Sequence, residues 1–364
     1  MPVVRTLVIS DLHIGASSQT DLLRRAEVQA TLAEAVRGVD RLVILGDGLE
    51  LRDGPHRDAV EVAGPFFEAM GRALGADGEL LLAAGNHDHG LVAGWIDGRL
   101  MTEPSGFLEL EQRIEPRESG VLAAALAECA APARVQVVYP GVWLRDDVYA
   151  IHGHYSDLHA TIPTFERLAA GAMARWAVSL PEEGATPDDY EAVLSPLYAW
   201  MHALTQRSDH ATVSAGAGAS SRAWVALGGS GRRLRPSTVV LRAGFATAVA
   251  VINRLGIGPV ERDLTGPGLR RGYLRGFVEM LHRLGVGAPH VICGHSHRSG
   301  PWPGDDLTEW TTRAGGRLHN TGSWVHQPHF LTGEPTRSPY WPGNAILIED
   351  AEPPRLIRVL EALP

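Results

Sequence analysis

The chain of 364 residues contains no lysine. All 33 of its basic residues are arginine, set against 42 acidic ones, and the formal net charge is −9. We read the missing lysine as the mark of a GC-rich genome rather than of a function. The shortage of positive charge has more consequence: a protein whose main partner is nucleic acid usually carries a basic surplus to displace counterions, and this chain has none overall. Cysteine is scarce too. Cys129 and Cys293 border apolar runs, make no disulfide framework, and fit a reducing compartment. No apolar run reaches the roughly 18–20 residues of a membrane span. The nearest, from Val239 to Ile252, is short and carries Arg242. Met1-Pro2-Val3-Val4-Arg5 leads straight into a strand-like segment, which leaves no room for a signal peptide. The expectation is a soluble, cytoplasmic protein. With 45% hydrophobic and 21% charged residues the composition is that of a globular chain, long enough for one large domain or two.

Apolar runs and helical periodicities alternate along the N-terminal part. Thr6–Ser10, Arg41–Leu45 and Glu79–Ala83 read as buried strands, and Asp21–Val36 and Asp58–Leu74 as helices. Phe107–Ala130 reads as a helix broken near Pro116 or Gly120. Arg134–Val138 and Val148–Ile151 read as strands joined through Pro140-Gly141. From about Ser156 to Gly287 the texture becomes alanine-rich and helical, over 164–180, 188–206, 237–255 and 269–284. A Gly/Ser/Arg stretch from Ala215 to Arg235 reads as a mobile loop. Strands resume with Pro289–Cys293, Arg317–Asn320, Ala345–Ile348 and Leu356–Leu360.

The polar motifs sit where these strands end. Asp11-Leu12-His13, Gly46-Asp47-Gly48-Leu49-Glu50, Gly85-Asn86-His87-Asp88, His152-Gly153-His154 and Gly294-His295-Ser296-His297 each follow a short apolar run. Open α/β sheets bind ligands just outside the carboxyl ends of their strands, so motifs nearly three hundred residues apart can converge there. Singly these motifs are weak, since turns favour Gly and Asp. Together they supply carboxylates, an amide and imidazoles suited to two adjacent metal ions. Two-metal sites mostly hydrolyse phosphate esters and amides.

This ordered series resembles the calcineurin-like metallophosphoesterases over roughly residues 3–156 and 288–350. The resemblance implies an α/β fold, a four-layer α-β-β-α sandwich of two mixed β-sheets flanked by helices. It implies that Asp11, His13 and His297 bind one metal, that Asn86, His152 and His295 bind a second, and that Asp47 bridges both, holding the cations about 3.5–4 Å apart. A hydroxide between the metals is the implied nucleophile for in-line attack on phosphorus. His87 is implied to assist the leaving oxygen, a task that suits a group titrating near neutrality, and Glu50 to orient His87. The protein Ser/Thr phosphatase branch has Asp at that position followed directly by Arg-Gly. Here Glu50 is followed by Leu51-Arg52, which argues against that branch. For Arg52 two readings stand, a bidentate contact to a substrate phosphate or a surface salt bridge. For His154 they are a contact behind the metal-binding side chains or with the substrate, or a solvated loop residue. Asp88 is expected to orient its loop, and Asn320–Trp324 to close the site beneath the last strand. His319, His326 and His329 are expected to have surface roles, and Cys293 to be an inert core thiol. The donors accept Mn, Fe, Zn, Ni or Co as the two divalent ions, with manganese the first to try.

The catalytic core is thus expected at 1–156 and 288–364, interrupted by a helical cap or lid at 157–287. A block inserted between two metal-binding motifs is well placed to select substrate. Its apolar residues, among them Phe165, Trp176, Trp200, Phe277 and Met280, would form its own core, a groove for an apolar tail, or a peripheral membrane contact. The leading reading is a metal-dependent phosphatase or phosphodiesterase acting on a small phosphoester. The alternatives are a lipid-linked substrate, as in the bacterial UDP-diacylglucosamine pyrophosphohydrolases, and a nuclease. Arg232, Arg233, Arg235, Arg270 and Arg271 favour a nuclease, and the net charge disfavours it. A non-catalytic scaffold is disfavoured because every ligand position holds a competent residue type.

Overall fold

The structure is a computed structural model and describes residues 4–54, 56–102, 106–178, 180–207, 247–263, 265–331 and 334–363. The Ala215–Arg235 loop, the apolar run starting at Val239 and the first part of the helix expected over 237–255 lie outside the described residues. The chain divides into two compact units, Met1–His154 with Gly287–Pro364, and Tyr155–Val286.

The first unit is a mixed α/β structure built on one large mixed sheet, with strands in the order β10-β9-β1-β2-β3-β5-β6-β7-β8 and β4 (Glu111–Ile114) paired to β5. Strands β1 (Thr6–Ile9), β2 (Arg41–Leu45), β3 (Glu79–Ala83) and the first half of β5 (Arg134–Arg145) run parallel, so their carboxyl ends share one edge. β6 (Val148–Ile151), β7 (His290–Cys293) and β8 (Arg317–Asn320) are parallel to one another, and β6 is antiparallel to β5. β9 (Asn344–Ile348) and β10 (Arg355–Arg358) complete the far side.

The pleat sorts the apolar residues into two cores. Leu7, Ile9, Leu42, Ile44, Leu80 and Leu82 face helices α1 (Ala26–Val36), α2 (His56–Leu74) and α5 (Val121–Cys129) in one buried cluster. The residues between them, Val8, Val43, Leu45, Leu81 and Ala83, join Val142, Val148, Ala150 and Ile292 in a second cluster whose fully buried members all come from strands.

Three local expectations need correction. The helix expected from Asp21 begins at Ala26; Leu22–Arg24 is a 3-10 turn, and Arg25 is extended. The Asp21 carboxylate accepts from Gly15 N–H at 3.0 Å and Arg24 Nε at 2.8 Å, and Leu22 N–H donates to Trp324 O, so tertiary bonds hold these residues off the helix. Glu111–Ile114, expected to be helical, is strand β4. Its Glu-Gln-Arg-Ile composition favours a helix, and pairing with β5 overrides that weak preference. The break expected at Pro140-Gly141 is instead the middle of the 12-residue strand β5. Glu111 stands opposite both Pro140 and Gly141, a bulge that absorbs the proline's missing N–H. The helical break itself falls at Pro116 and Gly120, which bound the short α4 (Pro116–Ser119).

The second unit is helical as far as it is described: Phe165–Trp176, Pro187–Arg207, residues 247–254 and Gly266–Arg283. Thr164 and Thr265 cap two of these helices by accepting from Arg167 N–H and Gly268 N–H. Tyr198, Phe277, Met280 and Leu281 are core residues of this unit, whereas Trp176 and Trp200 are exposed. No helix among the described residues is long and apolar enough to cross a membrane.

Candidate metal centre

The site lies wholly in the first unit, on loops that leave the strand ends. These loops turn sharply. Among the described residues seven non-glycine positions have positive φ, and five of them are Asp11, His13, Asp47, His295 and His297. Each such residue costs about 1–2 kcal/mol against an ordinary backbone, so the surroundings must enforce it. The loops enforce one another: Leu12 and His13 N–H both donate to Asp47 O, and Asp11 N–H donates to Gly46 O. Asp88, fully buried, accepts from the backbone N–H of Asp47, Gly48, Leu49 and Gly85 at 2.7–3.2 Å. It ties the β2 and β3 loops together, and burial followed by the nearby Asp47 charge pushes its carboxyl up to about 6.

The glycines of the motifs are there for space. A Cβ on Gly46, at φ +80°, would stand 2.5 Å from His152 Cγ. One on Gly85 would stand 2.7 Å from Asp47 N and 2.8 Å from His152 Cδ2, and one on Gly294 2.5 Å from Asp11 Oδ2. The polar side chains can crowd together here because their neighbours carry no side chain.

Three groups of donor atoms gather within 4.8 Å of one another: Asp11, His13 and His297; Asp47, His152 and His295; and His13, Asp47 and His87. In the first, His297 Nε2 is 3.1 Å from His13 Nε2 and 3.4 Å from Asp11 Oδ1. In the second, His152 Nε2 is 3.3 Å from Asp47 Oδ2 and 3.3 Å from Asn86 Oδ1. The bond made by each ring's other nitrogen fixes the tautomer. His152 Nδ1 donates to Leu45 O at 2.8 Å, and His13 Nδ1 to Glu50 Oε2 at 3.0 Å. Gln327 Oε1 lies 3.4 Å from His297 Nδ1. The Nε2 atoms of all three rings are therefore left as lone pairs pointing inward. The Asn86 oxygen likewise faces acceptors, Asp47 Oδ2 at 3.3 Å and His295 Nδ1 at 3.2 Å; turned over, the amide would donate to both. Acceptors converging on acceptors is the donor set that a cation satisfies.

The electrostatics agree. Burial pushes the Asp47 carboxyl up, but the imidazoles of His152 and His87 outweigh it and hold it well below the usual range. Glu50 is likewise held low by His87 and His13 against its burial. Burial lowers His13 and His152, yet Glu50 and Asp47 respectively raise them, to about 9 and about 10. His297, which burial dominates, falls to about 4. The pocket favours positive charge, either as protons on His13 and His152 or as metal ions competing for the same lone pairs.

His87 stands at the rim, with about a quarter of its side chain exposed. Its Nδ1 lies 2.7 Å from Glu50 Oε2, its backbone N–H donates to Asp47 Oδ1 at 2.8 Å, and its Nε2 is 3.3 Å from Arg52 Nη1. The Arg52 guanidinium therefore sits over the site. His154 is buried instead, its ring stacked on Tyr139 with the Tyr139 hydroxyl 3.4 Å from Nε2. His319 is buried against His290, 3.1 Å away, rather than on the surface. The Asn320–Trp324 segment underlies the last motif: Asn320 Nδ2 donates to Gly294 O and Ser296 Oγ, and Trp324 N–H to Asp11 O. Cys293 is a free, buried thiol whose ionisation burial opposes. Two contacts had no signal in the sequence: Gln327 beside His297, in a loop with no motif, and the second imidazole on Glu50.

Comparison with known proteins agrees with this geometry. A family model described as calcineurin-like phosphoesterase matches residues 4–203, more than half of the chain. No curated protein matches the chain.

Proposed function

Because the chain belongs to the calcineurin-like phosphoesterase family, which implies a metal-dependent hydrolase, we propose that it hydrolyses a phosphomonoester or phosphodiester with two divalent metal ions. In this reading Asp11, His13 and His297 would hold one ion, Asn86, His152 and His295 would hold the other, and Asp47 would contribute its carboxylate to both. The observation that carries it is the convergence of inward lone pairs from His13, His297, His152 and Asp47, with their outer nitrogens already committed to Glu50, Gln327 and Leu45 O. Bound divalent ions would supply an activated water near neutral pH and positive charge for the phosphoryl oxygens.

The chain's own residues do the rest. Asp47 aligns the His87 loop through its Oδ1, and Glu50 holds His87 Nδ1, so Nε2 is the atom that serves the leaving oxygen. Arg52 is assigned to the substrate phosphate; its fork lies beside His87 Nε2 and its reach suits a bidentate contact. His154 is assigned to support behind His152, whose ring it meets at 5.7 Å. The all-strand composition of the second core supports a sheet folded back at β5 into a four-layer sandwich. Residues 157–287 are assigned as a helical insertion concerned with substrate choice. Its entry shortly after His154, and its exit ahead of β7, whose following loop carries His295 and His297, support that role.

The test is hydrolysis of p-nitrophenyl phosphate and bis(p-nitrophenyl) phosphate by purified protein with added Mn2+, followed by a panel of nucleotides, nucleic acids and lipid-linked phosphoesters. Turnover of at least one ester is expected. No turnover with any divalent metal, together with crystals grown in metal that leave the ligand residues bare, overturns the proposal.

A further inference from the structure

One oxygen of Glu50 serves two imidazoles. Its Oε2 lies 3.0 Å from His13 Nδ1 and 2.7 Å from His87 Nδ1, while Oε1 accepts the Arg52 backbone N–H at 2.9 Å. The two rings meet edge to face with centroids 4.5 Å apart. The Glu50 residue is 6% exposed, so its bonds are made with little competition from water. The Arg52 N–H pins the carboxylate from the side opposite the rings. Oε2 cannot turn away from one imidazole without disturbing its bond to the other and the bond at Oε1.

Each ring is thereby left with one working nitrogen. On His13 this is Nε2, which faces His297 Nε2 at 3.1 Å and Asp47 Oδ2 at 3.7 Å. On His87 it is Nε2, which faces Arg52. We propose that Glu50 is a positioning residue shared by two functions: through one oxygen it orients His13 toward the first cation and His87 toward the leaving oxygen, so that displacing the carboxylate displaces both imidazoles. The proposal rests on the two-ion hydrolase reading above. It also accounts for glutamate at this position. An aspartate carboxylate would stand about 1.5 Å nearer the backbone, one carbon–carbon bond, and would lose reach to at least one ring.

The test compares Glu50→Asp and Glu50→Gln with the wild type and with His87→Asn. Mn2+ affinity is measured by competition with a chelator, and stoichiometry by elemental analysis. Turnover at saturating Mn2+ is measured on p-nitrophenyl phosphate, whose leaving group departs without a proton, and on an alkyl phosphate, whose leaving group needs one. Glu50→Asp is expected to weaken one of the two ions about 10–100-fold, the usual effect of losing an outer partner of a ligand. In the same variant alkyl-ester turnover should fall at least about tenfold more than aryl-ester turnover. His87→Asn should move the ester ratio and leave Mn2+ affinity unchanged. Glu50→Gln keeps the length and a carbonyl for the rings but sets its NH2 against the Arg52 N–H, so both readouts should move together by less. If Glu50→Asp does not fold, Glu50→Gln is judged by the same two readouts. A variant that changes metal affinity alone, or the ester ratio alone, overturns the proposal. Wild-type protein that binds Mn2+ and hydrolyses neither ester, nor any other phosphoester, overturns instead the hydrolase reading on which it rests.

Discussion

Gly85 carries no functional group, so a substitution there tests whether the site depends on packing as well as on ligands. In Gly85→Ala the added methyl would stand 2.7 Å from Asp47 N and 2.8 Å from His152 Cδ2, and closer still to Asp47 Oδ1. Ordinary contacts of this kind are about 3.5–4.0 Å, so neighbours must retreat by roughly 0.7 Å or more. None of them is the far end of a flexible chain. Asp47 N is fixed by Asp88 Oδ1 at 3.1 Å, and the His152 ring by Leu45 O at 2.8 Å. Overpacking of this kind costs about 1–3 kcal/mol. If the whole cost fell on metal binding, affinity would drop roughly 5- to 150-fold, at about 1.4 kcal/mol per factor of ten. If it fell on the fold, the melting temperature would drop by a few degrees. Calorimetric titration of Mn2+ and a melting curve on the same sample measure both shares. Wild-type affinity combined with wild-type melting would refute the claim that these glycines exist to let the ligands converge.

Asp47→Asn leaves a neutral amide amid His13, His152 and His87; Mn2+ stoichiometry by elemental analysis should fall and ester turnover should drop by at least about a hundredfold. His87→Asn should cost about 10²–10⁴ in turnover while bound metal stays at the wild-type level, and a loss of metal would show that His87 is itself a ligand, as the His13–Asp47–His87 group allows. The chelated protein should lose stability as pH rises. His13, raised from 6.5 to about 9, stabilises the fold fully below about 6.5 and loses that contribution as pH climbs through 9, and His152 acts in the same sense up to about 10. His297, lowered to about 4, acts only at lower pH. Melting curves in EDTA from pH 6 to 10 should therefore fall across this window, Mn2+ affinity should rise across it as protons leave the ligands, and a rising melting temperature would count against the charge assignment.

The donors of the site were legible in the sequence because they are local. Asp11, Asp47, Asn86 and His152 each follow an apolar run that can only be a strand, and parallel strands put their carboxyl ends on one edge. Gly46, Gly85 and Gly294 were visible as turn residues, but their steric reason was not, because the atoms they make room for belong to other loops. Strand β4 is not legible in the sequence because its residues prefer a helix and its pairing partner lies about twenty-five residues away. The bulge at Pro140 is hidden for a related reason: a proline ordinarily ends a strand.

The identity and order of the candidate ligands were thus set by sequence alone, since strand, turn and donor occur together within ten residues. Tertiary structure decided which donors meet. His13 and His297 touch across 284 positions, Glu50 reaches a second imidazole 37 positions away, and Gln327 reaches His297 from a loop with no motif of its own. It also sent His154 inward against Tyr139 and left His87 at the rim. A local pattern records what a residue is and which way its element points. Which atoms come within 3 Å depends on the twist of the sheet and on how tightly the loops pack, and those are properties of the whole unit.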